Sequence, residues 1–195
     1  MTRSLRVAAV AAALSTSAFA LPAQAPAPKG ALPTTAPVML SLMRAVDGVH
    51  MKMVALAKAF PADKYDWRPS PEVRSVRQVM LHIASENYLL PAMAGVAAPA
   101  ATKINAKDFA SADAFEKRAL SRDSVIAELD RSFAHLSSAM GKTAATGLTT
   151  TVSMFGQNMP AQDLWVGTTT HMHEHLGQAI AYARMNKITP PWSKK

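Results

Sequence analysis

Along most of this chain apolar residues return every three or four positions, the period of helices packed along one side. The first such stretch runs from about Val38 to Phe60, with Met39, Met43, Val46, His50, Met53, Ala57 and Phe60 on one stripe. Gly48 weakens that helix without breaking it. Pro61-Ala62-Asp63 ends it, and Lys64–Glu72, with its two prolines, reads as a loop. Ser75 is a good N-cap for a second helix over Val76–Leu90, whose apolar positions include Val76, Val79, Met80, Ile83 and Leu90. Pro91 marks its end or a kink. A third helix starts near Ser121, with Asp123 in its first turn and Leu129, Phe133, Leu136 and Met140 on its stripe. The last covers Asp163–Lys187, where Leu164, Thr168, His171, His175, Gln178, Tyr182 and Met185 follow in alternating steps of four and three.

Between these stretches the periodicity lapses. Ala92–Asp113 is alanine-rich and irregular, with room for a short helical turn. Leu148–Phe155 has β-branched character, but Gly156-Gln157-Asn158 offers it no obvious pairing strand, so it reads as an extended connection. Four amphipathic helices joined by loops predict an all-α protein, a four-helix bundle with a long connection between its second and third helices. The methionines are core filling in such a bundle.

The N-terminus has a different character. Arg3 and Arg6 precede an alanine-rich apolar run, Val7–Ala20, followed by small-x-small sites ending at Ala20 and Ala25, the pattern of a secretory signal peptide. The run is too short for a comfortable membrane span, so no stable span is expected after cleavage. The expected organisation is a signal peptide over 1–25, a flexible Ala/Pro-rich tether over 26–37 and one bundle domain over 38–193, in a periplasmic or secreted protein. Loss of Arg3 and Arg6 lowers the formal charge from +8 to +6. The remaining basic residues are scattered, without an aromatic-interleaved patch, which argues against nucleic acid as a partner. The chain has no cysteine, which agrees with an oxidising compartment and excludes thiolate ligands and a cysteine nucleophile.

Histidines carry the chemistry. His171 and His175 lie one turn apart on the same helical face, close enough to share an ion. His82, three residues after Val79 in the second helix, can meet them across a bundle. Three imidazoles with positions left open describe a reactive centre rather than a closed structural one, for a divalent ion such as zinc, nickel or iron. Glu86, one turn after His82, is a candidate to orient that ligand or to serve as general base, equally readable as a solvated or ion-paired glutamate. His50 lies on the inner stripe of the first helix, as a core hydrogen-bonding residue or a support for a ligand. His135 and His173 fall off their apolar stripes and are expected in solvent. Gln178 is a further support candidate, and Gly177 reads as a point of close helix packing. His171-Met172-His173-Glu174-His175 also matches the H-x-x-E-H peptidase motif, but no Asp or Glu follows Glu174 to complete that metal site.

Trp67-Arg68-Pro69, Ser75-Val76, His82-Ile83-Ala84, His171-x-x-x-His175-x-Gly177-Gln178, Tyr182-x-Arg184 and the tail Ile188-Thr189-Pro190-Pro191-Trp192-Ser193 together resemble the DinB-like (DinB/YfiT) superfamily. The likeness spans about Val38 to Ser193. It implies a four-helix bundle holding a divalent metal through three histidines, which fall on His82, His171 and His175. Known relatives include thiol-dependent S-transferases and isomerases, from which a signal peptide departs, since an exported enzyme would not meet a reduced thiol pool. The expected function is an exported metalloprotein acting as a hydrolase or group transferase on a small molecule. The alternative is a non-catalytic bundle binding a metal or small ligand, and a homodimer is compatible with either.

Overall fold

The computed structural model describes residues 36–143, 145–154 and 156–193. The signal peptide expected over 1–25, and all but the last two residues of the expected tether, lie outside the described residues. Four long helices dominate: α1 (Pro37–Ala59), α2 (Val76–Met93), α4 (Arg122–Gly141) and α5 (Ala161–Met185), with a short α3 (Ala110–Glu116) between α2 and α4. The helical-bundle expectation is met. α1 packs on α4 and α5, and α2 packs on the same two, so α1 lies diagonally opposite α2. The long α2–α4 connection allows this arrangement, and it sets α2 beside α5.

Local chemistry explains the helix starts. Pro37 stands in the first turn of α1, where no N–H is needed. Ser75 closes a reciprocal capping box on α2: its hydroxyl accepts from the Gln78 N–H at 3.3 Å, and its own N–H donates to Gln78 Oε1 at 3.0 Å. Ser121 Oγ accepts from the Ser124 N–H at the start of α4. Arg122 donates to the carbonyls of Phe60 and Lys58, placing a cation at the C-terminal end of α1.

The core follows the apolar stripes. Met39, Val46 and Met53 of α1 and Phe60 just after it share one buried cluster with Leu129, Phe133, Leu136 and Met140 of α4, with Trp165 of α5 fully buried. On α5, however, the buried face runs through Leu164, Trp165, Thr168, Met172, Leu176, Ala179 and Ala183. His171, His175 and Gln178 are half-buried along its edge, and Met185 is exposed. That offset places the histidines at a seam between core and solvent.

Several local expectations need correction. α2 runs through Pro91 to Met93 instead of ending there, since a proline in a last turn removes only one hydrogen bond. The irregular 92–113 segment holds the short turn expected of it, 3-10 at Ala100–Thr102, and in addition the start of α3, whose last residue, Glu116, is buried. Leu148–Phe155 has a partner after all: β1 (Thr151–Met154) pairs antiparallel with β2 (Gln157–Pro160), Met154 opposite Gln157. Gly156, at φ 77°, supplies left-handed backbone just before β2. The hairpin gains its support by packing on α5 and α2. Gly177 is exposed and a side chain there would meet nothing, so it plays no part in close packing. Among the described residues no helix is long and apolar enough to cross a membrane.

Candidate metal centre

α2 and α5 bring His82, His171 and His175 together, with one ring nitrogen from each lying within 4.8 Å of the others. Their ring centroids are 4.5–5.5 Å apart and the planes are nearly perpendicular. Two of the rings are fixed from behind. His82 Nδ1 lies 3.1 Å from Glu116 Oε2, so an Nδ1–H donates to that carboxylate and Nε2 is free to bind. His175 Nδ1 donates to Gln178 Oε1 at 2.8 Å, which leaves its Nε2 buried and without a hydrogen-bond partner. A buried polar atom left unpaired is costly, and an ion at the centre of the three rings would satisfy it.

The supports are joined. Gln178 Nε2 donates to the Tyr182 hydroxyl at 3.2 Å, and that hydroxyl donates to the Arg74 carbonyl at 3.0 Å. The Arg74 guanidinium donates through Nε to Glu116 Oε1 at 2.8 Å. One residue just before α2 thus anchors the partners of both His175 and His82. Trp67 meets the Tyr182 ring edge-on at 5.4 Å. Burial would raise the Glu116 pKa, but hydrogen bonds from His82 and Arg74 prevail and hold it below the usual carboxylate range. Burial, then the nearby His175 and His82, push His171 down to about 4. Burial also lowers His175, against the hydrogen bond it donates to Gln178. Neutral imidazoles at neutral pH are what a divalent ion requires.

A cavity of about 380 Å³ opens beside the cluster, lined by His82, Glu86, Leu90, Met154, Gly167, Thr168, Thr170, His171 and Glu174. Met154 comes from the hairpin. Glu86 is half-buried in that lining, and burial raises its pKa more than His82 lowers it. The other histidines go elsewhere. His50 Nε2 is 2.7 Å from Asp130 Oδ1 and its ring stacks on Phe133 at 4.7 Å, a contact between α1 and α4. His173 is exposed as expected, with Nδ1 donating to the Thr169 carbonyl. His135 is not free in solvent: it is half-buried against Tyr88, with Nε2 enclosed. Glu116 and Arg74 escaped the sequence reading because α3 had no clear period and a pairing across 42 residues leaves no local signal.

The sequence profile of the DinB superfamily matches residues 45–179. This chain belongs to the DinB superfamily. Its fold is shared with a DinB-like protein from Bacillus cereus at a TM-score of 0.64 and 15% identity, covering 82% of this chain and 98% of that one. A DinB-like protein from Bacillus subtilis matches at 0.58 and 15% identity, over 76% and 93% of the two chains. A conserved protein from Enterococcus faecalis matches at 0.64 and 17% identity, over 75% and 95%. No curated protein matches the chain. At such identities the likeness establishes the fold, and the DinB residues of this chain must speak for their own chemistry.

Proposed function

We propose that this chain is an exported DinB-superfamily metalloprotein in which His82, His171 and His175 hold a divalent ion. The adjoining cavity would be the seat of hydrolysis or group transfer on a small molecule. The observation that carries this is the unpaired, buried Nε2 of His175 within a cluster whose outer nitrogens are already tied to Glu116 and Gln178. When bound, a divalent ion supplies Lewis-acid polarisation of a substrate atom. The protein's share is orientation, shelter and proton movement. Leu90 and Met154 give the cavity an apolar wall that limits water. Glu86, whose pKa burial raises, is the group placed to give up or take a proton there.

Metal analysis of protein from its native compartment tests the first half. About one ion per chain is expected, lost in His82→Ala, His171→Ala and His175→Ala and retained in His173→Ala, whose side chain faces solvent. Equal loss in all four variants would sink the assignment. A screen of activated esters and related small electrophiles tests the second half. Turnover should vanish in His171→Ala and fall in Glu86→Gln with the metal still bound. Turnover no faster than free ion gives would leave a binding module in place of an enzyme.

A further inference from the structure

The walls of the cavity offer hydrogen-bond acceptors and almost no donors. Glu86 stands one turn after His82, and Glu174 less than one turn after His171, so both carboxyl groups face the same space as the histidines. Glu86 is half-buried, while the Glu174 side chain is 77% exposed, which sets one acid inside and one at the mouth. The two lining hydroxyls have already spent their protons: Thr168 donates to the Leu164 carbonyl at 2.8 Å and Thr170 to the Gly167 carbonyl at 3.0 Å. Only their lone pairs remain for a ligand. Among the described residues that line the cavity there is no arginine or lysine, although the chain carries a formal charge of +8.

The charge of a resident dication must be included. Three neutral imidazoles leave it undiminished; Glu116 behind His82 is already paired with Arg74, so the carboxylates facing the cavity itself are those of Glu86 and Glu174. An anionic tail that extends from the ion toward the mouth would meet Glu86 and Glu174 with no lining cation to receive it. Resting on the metal reading above, we infer that the substrate of this site is a small apolar molecule bearing an ammonium or similar N–H-rich cation. The cationic group docks between Glu86 and Glu174. The apolar body lies against Leu90 and Met154, and a lone-pair atom faces the histidine cluster.

Three probes sharing one metal-binding head test this on the zinc-loaded protein: benzohydroxamate, its para-aminomethyl derivative and its para-carboxy derivative. Calorimetry should show the aminomethyl probe binding about tenfold more tightly than the carboxy probe, with the parent between them. Glu174→Gln and Glu86→Gln should each shrink that preference several-fold while zinc content, measured in parallel, stays the same. A carboxy probe that binds as well as the aminomethyl probe overturns the inference, as does a preference untouched by both variants. Those results leave the metal reading standing, provided the parent binds only when zinc is present. A parent that binds equally well without zinc, or binds in neither state, overturns the metal reading and this inference with it.

Discussion

Glu116 should matter to metal affinity although it touches no ion. Its Oε2 holds His82 Nδ1 at 3.1 Å, its Oε1 accepts from Arg74 Nε at 2.8 Å, and the residue is 8% exposed. Such a carboxylate fixes the tautomer and aim of the imidazole and makes its free nitrogen a better donor, effects worth about 10–100-fold in affinity. Because Glu116 is buried and braced, water cannot readily take its place, so full removal belongs near the upper end. Glu116→Leu should weaken zinc binding about 100-fold, or about 2.7 kcal/mol. Glu116→Gln keeps an acceptor oxygen and loses the charge, and should cost about tenfold. Competition against a chromophoric chelator at neutral pH measures both, with helical circular dichroism reporting that the bundle is intact. Asp130→Ala, which strips the partner from His50 on the α1–α4 side, is the control and should leave affinity unchanged. Zinc affinities within twofold of the parent for both Glu116 variants would refute the role given to this carboxylate.

Metal-free protein should lose stability in mild acid. His171 titrates at about 4 in the folded chain against 6.5 unfolded, so across that window the unfolded state binds the extra proton. Its contribution is complete above the unfolded value and disappears as pH falls through the folded one; the urea midpoint of the parent should fall relative to that of His171→Asn across this window, and a constant gap between them would contradict it. Glu128, buried in α4, accepts from Tyr88 Oη at 2.9 Å and from Arg131 at 3.0 Å, so Glu128→Ala should lower stability by about 2 kcal/mol. Thermal melts check this, and zinc stoichiometry should be unaffected because neither partner belongs to the histidine cluster. Intact-mass analysis of protein from its own cells should find a chain starting at Leu21 or Pro26; an unprocessed N-terminus on that protein would count against export.

What the sequence determined by itself is what repeats along a helix. Stripes such as Met39–Val46–Met53–Phe60 specify a buried face, because burial of apolar surface acts at every turn. Ser75 and Ser121 mark helix starts because an N-cap satisfies donors only three residues away. The pair His171 and His175 is equally local, a consequence of helical pitch. His82 could be matched to them only as a possibility of bundle packing, and the DinB motifs gave it its place. Tertiary structure decided the rest. The pairing of β1 with β2 depends on support from α5 and α2, which strand propensity does not record. The edge position of the histidines follows from how α5 rotates against its neighbours, not from its own periodicity. Glu116 reaches His82 because the chain folds α3 onto α2, and Arg74 ties that carboxylate and, through Tyr182 and Gln178, His175. Contacts of that kind join residues far apart in sequence by single side-chain atoms, so no local period or propensity encodes them.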